Sequence, residues 1–194
     1  PATGRTLRVA IHTETHSALL YSASDIEVLT PEQLPLQKYL AKLGPDALDD
    51  SVVWRDVLDR LTSKQFCKRS LAALYLDQAF VAGIGNYLRS EILHASGLHP
   101  FDRPCDLTRA QLGGLSRATL DLTRQSLATA GITNSPKRVA ALKRGGFTRS
   151  RYRFVIFDRQ GEACYGCASP VERIDISSRR LYLCIKCQPM VRNK

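Results

Sequence analysis

No apolar run in this sequence approaches the roughly 20 residues that crossing a bilayer requires, and the opening stretch PATGRTLRVA has no apolar segment of the signal-peptide kind. Spanning and exported proteins are thereby set aside, and the expected location is the cytoplasm. Without an export signal, the 6 cysteines argue against a disulfide framework. No segment of the chain repeats another. Acidic residues are the other shortage, and it is local. Residues 136–194 contain only Asp158, Glu162, Glu172 and Asp175 against 14 Lys+Arg, whereas residues 1–135 balance 14 Lys+Arg with 14 Asp+Glu. All of the net charge of +10 therefore lies in the last 59 residues. Charge gathered in this way makes a field that attracts polyanions, and phosphate contacts supply most non-specific affinity for DNA. A solvated basic tail is the simpler alternative. Arginines interleaved with Tyr152, Phe154 and Phe157 read as folded instead.

What is present is enough for a core: 194 residues, 44% hydrophobic and 24% charged, suit one or two domains. Residues 5–13 (RTLRVAIHT) and 17–23 (SALLYSA) alternate apolar and polar positions around a turn at Glu14 to His16, which predicts a β-hairpin. A lone hairpin is marginally stable, so its sheet partners are expected elsewhere. From about Asp50 the period becomes helical, with Val53, Val57, Leu58 and Leu61 on one stripe, then Leu71, Leu74, Tyr75 and Gln78. Gly83 and Gly85 are expected to end one helix, and Asn86 to cap the next, whose buried face is Leu88, Ile92 and Leu93. Another helix is predicted from about Thr108, weakened in its middle by Gly113 and Gly114 at roughly 1 kcal/mol each. Residues 131–149 read as a mobile, basic, Gly-rich loop. Beyond Tyr152, YRFVIFDRQGEACYGC and RRLYLCIKC read as short strands around two cysteine pairs.

The spacing Cys164-x2-Cys167-x16-Cys184-x2-Cys187 is the most specific signal in the chain. Each Cys-x-x-Cys turn aims two thiolates at one point, and two such knuckles complete a tetrahedral four-sulfur shell. No position remains for substrate or water, so one structural zinc ion per chain is expected. An iron–sulfur centre would use the same ligands, and the hairpin-like sequence between the knuckles favours zinc. About 25 residues cannot hold a core alone, so metal binding is expected to be folding free energy. Between the knuckles, VERIDISSRRLYL predicts a hairpin whose turn, Ser177 to Arg180, projects Arg179 and Arg180. The planar guanidinium fork suits bidentate phosphate contact. Upstream, Ala82-Gly-Ile-Gly-Asn86 reads either as a plain helix–turn–helix corner or as a phosphate site built from glycine backbone, a helix N-terminus and the Asn86 amide.

The stretch LDQAFVAGIGNYLRSEILHASGLHP, followed by a four-cysteine finger with Ser-Ser-Arg179 five residues before Cys184, resembles the formamidopyrimidine-DNA glycosylase and endonuclease VIII family. The resemblance covers essentially the whole chain, and RTLRV, LLYSASDIEVLTPEQL and LGPD are most similar to the endonuclease VIII branch. It implies a bifunctional base-excision repair enzyme that flips an oxidised base, of the pyrimidine class, out of duplex DNA, breaks its glycosidic bond and nicks the strand by β,δ-elimination. Carried over, Asn86 holds the phosphate beside the lesion, Arg179 contacts a flanking phosphate and assists the δ step, and Lys42 stands where the branch has a DNA-contacting arginine. Family members begin Pro-Glu-Gly-Pro, with the proline amine as nucleophile; here the start reads Pro1-Ala2-Thr3-Gly4, without an acid at position 2. Pro1 is therefore not taken as the nucleophile. On this resemblance the chain corresponds to the C-terminal two-thirds of the enzyme and is expected to bind DNA without completing the glycosylase reaction.

The expected fold is α+β: residues 1–30 as part of an N-terminal β-sandwich, 31–45 a linker, 46–135 a helix–two-turn–helix domain, 136–150 a flexible basic loop and 151–190 a β-hairpin zinc finger. The expected partner is damaged double-stranded DNA, bound by a monomer at Lys42, Asn86, Arg179 and Arg180. Two rivals remain: a non-catalytic zinc-finger module that binds DNA, and an RNA-binding zinc ribbon.

Overall fold

The computed structural model describes residues 4–176 and 178–191. Pro1, at which the nucleophile question arises, and Ser177, the first residue of the expected finger turn, lie outside the described residues. The chain divides into two compact units, residues 1–41 and residues 42–194.

In the first unit, strands β1 (Leu7–His12) and β2 (Ser17–Tyr21) form the expected antiparallel hairpin. Its turn is closed by the Thr13 amide donating to the His16 carbonyl at 2.8 Å, and a bulge between Leu7 and Val9 shifts the register. Leu7, Ile11, Leu19 and Leu20 stay exposed. The hairpin thus pairs its backbone without burying its apolar side chains, which is why alternation alone does not stabilise it.

The second unit is helical at its centre. Helix α1 (Trp54–Thr62) buries Val57, Leu58 and Leu61, and its first turn is held by the Asp56 carboxylate, which accepts the Val53 amide at 2.8 Å. The short α2 (Leu71–Leu74) ends well before the glycines expected to stop it. Residues 75–85 are a turn, and Gln78, expected on an apolar stripe, staples it. Its amide donates to the Ile84 carbonyl at 3.0 Å and accepts from the Gly83 amide at 2.9 Å. Gly83 has φ 87°, the left-handed region that glycine enters without strain. Helix α3 (Asn86–Ala95) follows, capped by Gly85, so Asn86 is its first helical residue and not its cap. Helix α4 (Arg109–Ala128) begins at Thr108, whose hydroxyl and Gln111 form a reciprocal capping box.

Residues 131–149 are not an irregular loop throughout. Helix α5 (Pro136–Arg144) occupies most of them and the single turn α6 (Arg149–Tyr152) follows. The reason is local: Ser135 caps α5, Pro136 presets its first φ, and Gly145 with Gly146 ends it. Within YRFVIFDRQGEACYGC the expected strands do not form either, whereas RRLYL does become a strand. Residues 154–171 run as turns, with one isolated bridge between Ala163 and Pro170. Strands β3 (Glu172–Ile176) and β4 (Arg179–Leu183) make the expected finger hairpin, in the register Ile176 to Arg179 through Glu172 to Leu183.

Strand β4 joins two cores because its side chains alternate faces. Leu181 and Leu183 complete the helical core with Leu61, Phe80, Ile92 and Leu115, whereas Tyr182 and Cys184 pack with Ile156 and Val171.

Candidate nucleic-acid interface and metal centre

Helix α3 is buried on every side from Leu88 to Leu93, including its charged residues Arg89 and Glu91. Its first turn keeps three backbone N–H groups without intrahelical partners, since the first helical bond is Arg89 to the Gly85 carbonyl at 3.0 Å. Beside them, the Asn86 side-chain amide donates to the Arg180 carbonyl at 2.8 Å, and its oxygen accepts from Arg89 Nη2 at 2.8 Å. Arg89 Nη2 also reaches the Arg180 carbonyl at 3.3 Å, and Nη1 the Ala72 carbonyl at 3.2 Å. The α3 terminus and the finger hairpin, 94 residues apart, are stitched together at one peptide group.

No carboxylate neutralises Arg89 among the described residues. Burial lowers its pKa to about 10, and the positive charge of Arg179 adds to the effect. A guanidinium remains charged there. Three arginines thus meet the helix N-terminus: Arg89 as floor, and Arg179 and Arg180, both exposed, at the start of β4. The connection before them is two residues long, since Ile176 pairs with Arg179, and Ser178 takes φ 61°. Arg179 and Arg180 are therefore strand residues, not turn residues. Lys42 ends a 3-10 turn (Leu40–Lys42) and is exposed; no hydrogen bond or ion pair among the described residues joins it to this cluster.

Glu91 performs a different task. Its carboxylate accepts the backbone amides of Val155, Ile156 and Phe157 at 3.0, 2.8 and 2.8 Å, which fixes the turn leading into the finger. Burial pushes this carboxyl up from the usual range, while the bonds from Phe157, Thr133, Ile156 and Val155 pull it down. Sequence reasoning missed Arg89 and Glu91, because a charged residue on a helix is ordinarily solvated.

The sulfurs of Cys164, Cys167, Cys184 and Cys187 lie within 4.8 Å of one another. Two of the edges measure 3.9 Å (Cys164 to Cys187) and 3.4 Å (Cys167 to Cys184). A tetrahedron with metal–sulfur bonds of about 2.3 Å has edges of about 3.8 Å, so the arrangement can hold one metal ion. Hydrogen bonds brace each knuckle. The Gly166 amide donates to Cys164 Sγ at 3.4 Å. Gln188 accepts the Cys184 amide at 2.9 Å and donates to the Leu98 carbonyl at 2.8 Å, tying the second knuckle to the residues after α3. Gly97, at φ 64°, lets the chain turn there, and a Cβ on it would lie 3.4 Å from the Cys187 carbonyl oxygen. Cys67, half-buried in a surface turn, and Cys105, exposed in the 3-10 turn Pro104–Asp106, are joined by a 3.0 Å backbone bond and stand apart from this cluster.

Residues 43–137 match the model of the formamidopyrimidine-DNA glycosylase H2TH domain. Endonuclease 8 of Salmonella paratyphi B is 46% identical over 188 residues, which span 97% of this chain and 68% of that protein. The MutM (Fpg) protein of Thermus thermophilus superposes with a TM-score of 0.70 at 26% identity, covering 98% of this chain and 71% of that one. Lactococcus lactis Fpg, in complex with DNA containing an abasic site, superposes with a TM-score of 0.73 over 97% of this chain and 68% of its own. At 19% identity that last likeness is one of fold. No helix among the described residues is long and apolar enough to cross a membrane.

Proposed function

Because the chain belongs to the formamidopyrimidine-DNA glycosylase and Endonuclease 8 family, we propose that it serves base-excision repair of oxidised bases, pyrimidines in particular, in duplex DNA, with strand scission by β,δ-elimination. Residues 42–191 supply the grip on the damaged strand. The observation that carries this reading is the meeting of the α3 N-terminus, the Asn86 amide and three arginines at the Arg180 peptide group. Free N–H groups and a positive helix end favour a phosphate. Arg89 lacks a counter-charge until one arrives. Asn86 and Arg179 are assigned to phosphates next to the lesion, Arg179 additionally to the δ step, and Lys42 and Arg180 to the backbone further along.

The ion held by the four cysteines is assigned as zinc. With four sulfur ligands it has no open position, so its part is to fold the knuckles that carry β3 and β4. This chain's residues do the binding and the ion does not meet substrate.

Fluorescence anisotropy with duplexes that do or do not contain a stable abasic analogue tests the reading. The unmodified chain is expected to prefer the lesion duplex, and Asn86→Ala and Arg179→Ala to weaken that binding about tenfold each, a loss of about 1.4 kcal/mol. Equal affinity for lesion duplex, undamaged duplex and structured RNA would overturn it in favour of a general nucleic-acid module.

A further inference from the structure

The longest acid-free stretch of the chain runs from Leu122 to Phe157, and its cations are concentrated on one small lobe. The lobe starts and ends at a clamp. Asn134, itself buried, donates to the Tyr152 and Phe154 carbonyls at 2.9 and 2.7 Å, and the Thr133 amide donates to the Arg153 carbonyl at 2.9 Å. Between these points the chain makes α5 and α6, in which no residue is buried.

On α5, Lys137, Ala141 and Arg144 follow one another at the i, i+4, i+7 spacing that defines a single helix face, and all three are exposed. Ala140 and Ala141 leave that face low between its two cations. Neither Lys137 nor Arg144 has a partner among the described residues. Lys143 lies 5.1 Å over the Tyr152 ring, and the Arg138 guanidinium 4.3 Å from the Tyr165 ring in the first cysteine knuckle. Arg149 donates to the Ala130 carbonyl, and Arg153 to the Gly131 carbonyl at 2.9 Å. Among the described residues, Arg151 alone of the cations from 137 to 153 has a carboxylate partner, Glu162. Rings and carbonyls position these side chains without cancelling their charge. A merely solvated face would leave them loose. The lobe also adjoins the proposed grip: Arg153 stacks 5.3 Å from the ring of Tyr87, the residue after Asn86.

We propose that the α5–α6 lobe, residues 136–153, is a second phosphate-backbone track for duplex DNA, contacting the strand beyond the phosphates held at Asn86 and Arg179. This rests on the DNA-binding reading above. Cations held by rings and carbonyls (Arg138, Lys143, Arg149 and Arg153), beside the unpartnered Lys137 and Arg144 on a face of small side chains, suit a polyanion whose charges repeat along a line. Phosphate contacts carry no sequence information, and contacts beyond the lesion do not meet it, so the track would raise affinity on every duplex equally.

The test is the salt dependence of binding. Log K falls with log salt at a slope of about −0.9 per phosphate neutralised. The variant Lys137→Ala/Lys143→Ala/Arg144→Ala introduces a strong helix former at each position, and circular dichroism checks that α5 persists. Its slope is expected to flatten by about 2 to 3 relative to the unmodified chain, by the same amount on lesion-containing and undamaged duplexes. An unchanged slope would overturn the track while leaving the Asn86 grip standing. A loss confined to the lesion duplex would also overturn it, showing that the lobe reads the lesion. Absence of DNA binding by the unmodified chain would instead sink the functional reading beneath it.

Discussion

Glu91 shows how one side chain can hold a junction. Three buried amides converge on its carboxylate, and replacing it leaves them without an acceptor. Glu91→Ala is expected to lower unfolding free energy by about 3 to 5 kcal/mol, read from urea denaturation, because orphaned buried donors cost their full desolvation. Burial raises this carboxyl above its ordinary value of 4.5, so the folded chain keeps the proton where the unfolded chain has lost it. Its contribution to stability is therefore fully present below that ordinary value and declines as pH rises through the raised one. Glu91→Gln should flatten that part of the stability profile, and an unchanged profile would show that the group does not titrate there. Nothing in the sequence announced this role. Leu88, Ile92 and Leu93 gave α3 a readable stripe, but the helix is buried all round, and a pattern read from apolar residues is blind to charged residues in a polar interior. The four cysteines were legible because metal ligands must recur at knuckle spacing.

Among the elements, α4 and α5 teach opposite lessons about glycine and charge. Gly114 lies inside α4 with open space where a Cβ would stand, and Gly113 would meet only the flexible end of Arg117, at 3.3 Å. Gly114→Ala is expected to raise stability by about 0.5 to 1 kcal/mol, visible as a higher melting temperature, since alanine restricts the unfolded chain and favours helix. Gly44→Ala should do the reverse. A Cβ there would lie 2.6 Å from the Phe80 carbonyl oxygen, a backbone atom that cannot swing away. A loss of about 1 to 3 kcal/mol is expected in the same melting experiment. Helix α5 went unrecognised because its large apolar residues are only Val139 and Leu142 amid four cations, too few for a hydrophobic stripe. Its boundaries were nevertheless written in Ser135, Pro136 and Gly145, a cap, a first-turn proline and a terminator. The turns of residues 154–171 were less accessible. Their aromatic and branched residues favour strands locally, and the competing influence, the Glu91 carboxylate, comes from about 65 positions away.

At the scale of the molecule, the finger and the helical unit are not separable modules, and the metal tests this. Stripping the ion with a strong chelator is expected to abolish the near-ultraviolet signal of Tyr165 and Tyr182 while far-ultraviolet helicity largely persists, and to weaken duplex binding about tenfold or more. Lowering the pH should release the ion for the same reason, since thiolates must protonate to let it go. Retained affinity after chelation would show that β4 keeps Arg179 in place without the knuckles. That outcome is conceivable only because Leu181 and Leu183 belong to the helical core. The shared strand also sets a timetable for biosynthesis. Helix α3 and its neighbours leave the ribosome early, yet the wall that closes their apolar face is translated about 90 residues later, which at roughly 5 to 20 residues per second means a wait of about 5 to 18 s. During that interval the nascent chain carries an open greasy surface, and a cell that makes this protein must shield it until position 183 has emerged.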